Sequence, residues 1–384
     1  MNNITQQENN NKKDFLIIGG YGNAGFALAY QLLKNTQATL LIAGRNQHKA
    51  KAVAGDLNAM NAEEWIFRVS GTALDVTDKS DLYKVFSQVS CVILAAPLIP
   101  FLDRIVDAVV ATGIDCIDLQ TGGRSRRILA ARKNAITQAG CCFIANAGFS
   151  PGLPAILLRR FGDDIEKLKT VRFNLLQKID WDSAQPSDAR LAELLEIIDS
   201  AIPQLYQNGT WQKAKFWQHP KCSFPGISGH YRCHPVKLAE LENLPQHYPH
   251  LEKLSFNQAD LNTIFNRLLV PLAGHMPAET YRHKQVQRAR QVLSFSAKPP
   301  FKGVMQAIFQ GTAGIENKQI SVTIQADNLY ELTGIAAAAC ILQYLDGTIK
   351  QPGLWYQGLL LDPVRMLKDM QMLGADIETK SSIV

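Results

Sequence analysis

The 384 residues suffice for about two domains, each large enough to bury its own core. With 46% hydrophobic and 19% charged residues the composition is that of an ordinary globular protein, and a net charge of +6 without a basic block argues against a nucleic-acid partner. No stretch approaches the ~20 apolar residues of a membrane helix, which speaks against a membrane partner. Seven cysteines, an odd number without framework spacing, point to reduced thiols and a cytoplasmic setting.

Met1 to Asp14 is rich in Asn and Gln and lacks the apolar centre of a signal peptide, so residues 1–13 read as a disordered tail. Phe15 to Ile18 follow as a short apolar strand suited to burial on both faces. Next come Gly20, Tyr21, Gly22, Asn23, Ala24 and Gly25, in the G-x-G-x-x-G spacing of a dinucleotide turn. Gly20 would permit the tight turn, Gly22 would leave room for a pyrophosphate, and Gly25 would let the helix Ala24 to Lys34 pack close to the strand. That helix would aim its unpaired N–H groups at the phosphates. A second strand, Thr39 to Ala43, runs into Gly44, Arg45 and Asn46. Arg45 stands about 20 residues past Gly25, where a carboxylate would hold the ribose 2′-hydroxyl of NAD. An arginine there can pair with the 2′-phosphate of NADP, or it is a solvated strand-end residue with NAD also accepted.

Strand and helix patterns go on alternating to about residue 146. Ile66 to Val69 reads as a strand, and Asp75 either borders an adenine or caps a turn. Asp81 to Ser87 is helical, and Val89 to Ala95 is a buried strand. Ala95, Ala96 and Pro97 close it with small residues that would admit a nicotinamide ribose. Pro100 to Thr112 is helical. Asp115 to Leu119 forms the next strand and brings Asp118 to its carboxyl end, as a site residue or as a cap of the turn at Gly122 and Gly123. The dense run Arg124, Arg126 and Arg127 reads as the solvated start of the helix Ser125 to Ala139, with the strand Cys142 to Ala145 after it. Such alternation predicts an α/β fold with a Rossmann-type, doubly wound parallel sheet.

The pattern changes after Asn146. Thr170 to Lys178 alternates like a half-exposed strand, Ala189 to Leu205 reads as a helix, and Val292 to Ala297, Gly303 to Gln310 and Gln319 to Gln325 read as strands. This is the profile of a second α+β domain with a mainly antiparallel sheet. Tyr330 to Leu345 and Val364 to Leu373 return to helix, with Ile335 to Leu345 reading as buried core. His219, Cys222, His230, Cys233 and His234 could suggest zinc, but their spacing is poor for a closed structural site, and the intervening proline and glycines suit a substrate loop equally well. On a strand, Arg232 and His234 share one face and Tyr231 the other. Arg232 could then hold a carboxylate and His234 could donate a proton, with Tyr231 beside them. His283, Lys284 and Arg288 form a weaker basic set.

The glycine turn, Ala43-Gly44-Arg45, Leu94 to Pro97, Gly113 to Gly122, Ala147 to Pro154, Thr333 to Ala339 and Leu345 to Gly353 together resemble the saccharopine dehydrogenase family. Cys116 stands where that family commonly has an aromatic, and Gly123 where a glutamate often follows. The resemblance implies an NAD(P)-dependent oxidoreductase, NADP being the expected cofactor with NAD possible. Its reaction would be reversible hydride transfer at the C–N bond of an amino-acid- or polyamine-like small molecule. It also implies a nucleotide domain of residues 14–146 plus 328–384, a substrate-binding and dimerisation domain of residues 147–327, and a homodimer. Reduction of a C=C or C=O bond, or NADP sensing without turnover, are the alternatives.

Overall fold

Strand β1 (Lys13–Ile18) forms because Phe15 to Ile18 can be buried on both faces at once, and all four are. The computed structural model describes residues 13–120, 123–200, 203–259, 286–293 and 299–383. After β1 come α1 (Asn23–Asn35), β2 (Leu40–Gly44), α2 (Gln47–Met60), β3 (Val69–Ala73), α3 (Lys79–Phe86) and β4 (Val89–Leu94). Then follow α4 (Leu102–Thr112), β5 (Asp115–Asp118), α5 (Gly123–Gln138) and β6 (Cys142–Ala145).

From there the chain runs through α6 (Leu153–Phe161), β7 (Lys167–Lys178), α7 (Asp188–Ser200), β8 (Gln204–Gln207), β9 (Thr210–Lys213), β10 (Lys221–Phe224), β11 (Ile227–Pro235) and β12 (Lys253–Ala259). It ends with β13 (Lys302–Ala313), β14 (Glu316–Ala326), α8 (Leu329–Leu345), β15 (Gly353–Tyr356), α9 (Pro363–Met372) and β16 (Asp376–Ile383). No helix among the described residues is long and apolar enough to cross a membrane.

The chain divides into two units, Met1–Leu153 with Thr333–Leu361, and Pro154–Leu332 with Asp362–Val384. The first holds a seven-stranded sheet in the order β15-β6-β5-β4-β1-β2-β3, with every neighbouring pair parallel. This is the expected doubly wound arrangement. Strand order reverses between β1 and β4, and open sheets bind ligands at the carboxyl ends of the strands beside such a reversal. Helix α8 is apolar on all sides because it is enclosed: Ile335 to Ile341 are all buried. Gly334 brings it onto α1, where a Cβ would stand 2.8 Å from the Ala27 carbonyl carbon. At its end Gln343 is buried and Leu345 is exposed, so the core stops short of the expected Leu345. Tyr344 secures that end by donating to Asp115 Oδ2 at 2.5 Å, while Asp115 Oδ1 accepts the Cys142 N–H at 2.7 Å.

The second unit carries a mixed sheet in the order β10-β11-β12-β7-β13-β14-β16, with β8 paired to β12 and β9 to β8. Only β12 and β7 run parallel among these pairs. One face, with Phe173, Leu175, Met305, Ala307 and Phe309, is fully buried. The other carries a row of polar side chains in register across four strands: Asn257, Asn174, Gln306 and Thr323. Asn257 Nδ2 donates to Asn174 Oδ1, and Asn174 Nδ2 to Gln306 Oε1. Mutual satisfaction of the amides allows this row to be buried at low cost.

Several sequence expectations need correction. The C-terminal segment does not stay with the nucleotide unit. β16 pairs with β14 from Gln325↔Asp376 to Lys318↔Ile383, which takes residues 362–384 into the second unit. The strand expected at Ile66 to Val69 lies at Val69–Ala73, since Gly71 lets the α2 backbone come within 2.4 Å of where a Cβ would be. The helix expected to reach Leu205 ends at Ser200, and Leu205 lies in β8. Val292 and Leu293 belong to a helix over residues 286–293, and the rest of the strand expected there lies outside the described residues. So do the N-terminal tail, His283 and Lys284.

Candidate functional site

The glycine turn sits at the carboxyl end of β1. Its left-handed residue is Gly19 (φ +87°) rather than Gly20, and Gly22 N–H donates to the Gly19 carbonyl at 2.8 Å to close the turn. Gly19 also meets the next strand, since a Cβ there would lie 2.7 Å from both the Ala95 oxygen and the Ala96 Cβ. Gly20 is needed for a different reason: its missing side chain would run into Ile42 at 2.8 Å. Gly25 packs α1 onto the turn, with 2.4 Å between its absent Cβ and the Gly19 oxygen. In front of Gly22 only that same oxygen, at 3.2 Å, lies near a would-be Cβ. No side chain caps the start of α1, and its first turn has no acidic residue. The resulting strip of bare backbone at a helix start, with Asn23 and Ala24 in its first turn, suits an anion.

Tyr21 reaches across from the turn to β2, where its ring lies against Gly44, 2.4 Å from where a Cβ would be. Arg45 follows, exposed at the strand end, and Asn46 accepts the Lys49 N–H at 3.0 Å to cap α2. Asp75 comes alongside because Leu74 N–H donates to the Gly44 carbonyl. Its carboxylate accepts from the Thr77 N–H and hydroxyl, at 2.9 and 2.7 Å. These two bonds, aided by Arg45, hold Asp75 below the usual carboxylate range. Thr77 thus makes Asp75 part of a turn. Ala95, Ala96 and Pro97 continue the same edge, with Ala95 N–H donating to the Ile18 carbonyl.

Asp118 ends β5 and is fully buried. Its Oδ1 accepts from the Gln120 N–H at 2.9 Å and from Gln120 Nε2 at 3.0 Å. Gln120 Oε1 in turn accepts the Leu98 N–H at 2.5 Å. Asp118 thus ties the loop after β5 to the loop after β4. The next loop is tied in as well: Ala147 N–H donates to the Asp118 carbonyl, and Gln357 Nε2 donates to the Gly148 carbonyl at 2.9 Å. Gly19, Gln120 and Gln357 were not singled out in the sequence. The glycine doublet at 19–20 was a visible signal, whereas the two glutamines act only through loop geometry.

In the second unit β11 separates the expected residues by face. Tyr231 and Cys233 join an apolar cluster with Leu176, Cys222, Phe224, Ile227, Ala259 and Val304, and the Tyr231 ring meets Phe224 edge-on at 5.9 Å. Arg232 and His234 take the opposite face by alternation. His234 Nδ1 lies 3.0 Å from His219 Nδ1, the two rings perpendicular. Cys222 is hydrogen-bonded to Cys233, which with Arg172 keeps its thiol below the ordinary value against the pull of burial. Arg288 lies on the helix over residues 286–293. Among the described residues no three His, Cys, Asp or Glu side chains gather as a metal site would require.

Residues 15–140 match the family model described as the saccharopine dehydrogenase NADP binding domain. They form an NADP-binding domain of the saccharopine dehydrogenase type. Over the whole chain the fold is similar to that of saccharopine dehydrogenase (L-Glu forming) from Saccharomyces cerevisiae, with a TM-score of 0.68 at 16% identity, covering 96% of this chain and 100% of that one. An oxidoreductase from Agrobacterium radiobacter, solved with NAD+, L-tartaric acid and magnesium, aligns only distantly, at 11% identity and a TM-score of 0.47, covering 94% of each chain. No curated protein matches the chain by sequence. Over the whole chain the likeness is thus one of fold, and residues 15–140 match an NADP-binding domain.

Proposed function

We propose that the protein is an NADP-dependent oxidoreductase acting at the C–N bond of an amino-acid- or polyamine-like substrate. The observation that carries the reading is the bare glycine turn at the start of α1 with Arg45 at the end of β2. The residues fit the cofactor: Gly22, Asn23 and Ala24 would take the pyrophosphate, Arg45 the 2′-phosphate, and Ala95 to Pro97 the nicotinamide ribose. When bound, the nicotinamide would supply or accept the hydride. Asp118 contributes by fixing Gln120, and through it the backbone at Leu98, beside that end of the site. Asp118 is therefore a positioning residue in this proposal.

In the second unit, Arg232 would anchor a carboxylate and His234 would hold the proton. Facing Nδ1 atoms fix their tautomers oppositely, one ring donating and the other accepting. Tyr231 has its ring in the apolar cluster and contributes a wall to the strand. A homodimer in the cytoplasm completes the proposal.

Calorimetric titration with NADPH and then NADH, followed by an oxidation and reduction screen against amine–carbonyl pairs, tests it. Preferred NADPH binding with turnover on an amine–carbonyl pair is the expected result. Turnover restricted to ketone or enoyl acceptors would replace the C–N assignment, and tight binding without turnover on any acceptor would make the protein an NADP sensor.

A further inference from the structure

β16 is the last strand of the second sheet, paired with β14 on one side and with no strand among the described residues on the other. Its outer row of N–H and C=O groups is therefore open to another strand. The other open strands of the two sheets are blunted. β9, β10 and β15 have four residues each, β10 with a break in register between Cys222 and Phe224, and β3 has five, centred on Gly71. β16 instead holds its register over eight residues, from Asp376↔Gln325 to Ile383↔Lys318, with no proline, glycine or bulge. Glu378 to Ile383 are all exposed.

Charged side chains commonly protect such an edge. Those of β16 are spaced so that they admit one partner. By alternation Asp376, Glu378, Lys380 and Ser382 share one face, and Ile377, Thr379, Ser381 and Ile383 the other. A second copy of the strand, laid antiparallel, must match residues of like parity, because only then do outward N–H and C=O groups meet outward ones. With Thr379 on the two-fold axis, Glu378 of each copy stands opposite Lys380 of the other. Asp376 then meets Ser382, and Ile377 meets Ser381. Moving the axis to Glu378 or to Lys380 sets two like charges face to face. Within one chain Lys380 Nζ lies 2.8 Å from Glu378 Oε1, with the two side chains 71% and 53% exposed, so both charges are accessible to a second copy.

We infer that β16 is the surface through which two copies of this chain pair, antiparallel about a two-fold axis at Thr379, with their mixed sheets joined into one. The inference names the interface of the homodimer proposed above and rests on that reading, but not on the NADP or C–N assignments. The interface is isologous, and its two ion pairs form together or not at all. Being narrow and polar, it makes a dimer that dissociates on dilution and weakens as salt is raised.

The test is sedimentation velocity of the full chain over a range of concentrations, without nucleotide. The wild type should dimerise as concentration rises. Lys380→Glu and Glu378→Lys each set like charges opposite one another on both sides of the axis, and each should weaken self-association about tenfold (about 1.4 kcal/mol). Mixed one to one, the two variants should dimerise with each other, since every 378–380 pair across the axis is again oppositely charged. Thermal unfolding of each variant checks that the fold is intact. Dimers that survive both substitutions, or variants that fail to recover one another on mixing, would overturn β16 as the interface and leave the homodimer to another surface. A wild type that stays monomeric at every concentration would overturn the interface and the homodimer together, whereas the NADPH titration reads the cofactor assignment separately.

Discussion

Arg45 is exposed at the end of β2, and among the described residues its charge only assists Asp75, which is itself exposed and held chiefly by Thr77. Reversing it should therefore act chiefly on the cofactor. Arg45→Asp is expected to weaken NADPH by the worth of a charge-assisted hydrogen bond, about 1.5–3 kcal/mol, while leaving NADH nearly untouched. Equal losses in a paired titration would remove the 2′-phosphate from Arg45. Gly25→Ala probes the same turn from the other side. Its methyl group would press on the Gly19 oxygen, so α1 must shift, at a cost of about 1–3 kcal/mol in stability and a loss of both nucleotides. A variant with unchanged melting and binding would show that the turn is looser than its geometry. Both residues were legible in the sequence because the turn and the strand end are local, and spacing alone places them. Gln120 was not, because its role depends on how two loops meet.

The central elements announced themselves because apolar runs such as Phe15 to Ile18 and Val89 to Leu94 need burial on both faces. The elements that went unread are those held by backbone pairing or by small residues. β16, Asp376–Ile383, is polar and almost wholly exposed, and its hydrogen bonds to β14 leave no trace in residue pattern. β3 contains Ser70, Gly71 and Thr72, chosen to let α2 approach instead of to fill a core. The end of α8 offers a test at this scale. Tyr344 is buried against Asp115 and a group of buried thiols, so burial and these neighbours push its hydroxyl far up. A group whose folded pKa is raised stabilises the fold below its unfolded pKa and withdraws that contribution above it. Stability should therefore fall as pH rises past about 10, by up to ~1.4 kcal/mol per unit through this one proton, with the raised Cys91 and Cys340 thiols adding to the fall from about 8.5. Tyr344→Phe should lower stability at neutral pH by about 1–3 kcal/mol, through the lost bond to Asp115, yet flatten the alkaline limb. Denaturant unfolding from pH 7 to 11 would show an unchanged alkaline slope if Tyr344 were not the titrating group.

At the scale of the whole molecule the chain leaves the first unit at Leu153, returns at Thr333 and leaves again after Leu361. A chain ended at Leu361 keeps every strand of the parallel sheet and loses only β16 from the mixed one. Hydrogen exchange should then show lost protection in β14, at residues such as Val322 and Ile324, with β1 and β4 unaffected. Equal loss in both sheets would mean that the units do not hold their structure separately. The route of the chain also sets a schedule during synthesis. β6 pairs with β5 as soon as it is made, but its other edge is completed only by β15, about 200 residues later. At 5–20 residues per second the ribosome needs on the order of 10–40 s to supply that strand. For that interval a nascent chain presents an open, apolar strand edge formed by Cys142 to Ala145, and α8 has not yet arrived to cover α1 at Ala27. Crowded polysomes, and the chaperones that attend them, would meet this protein at its most adhesive before its second half exists.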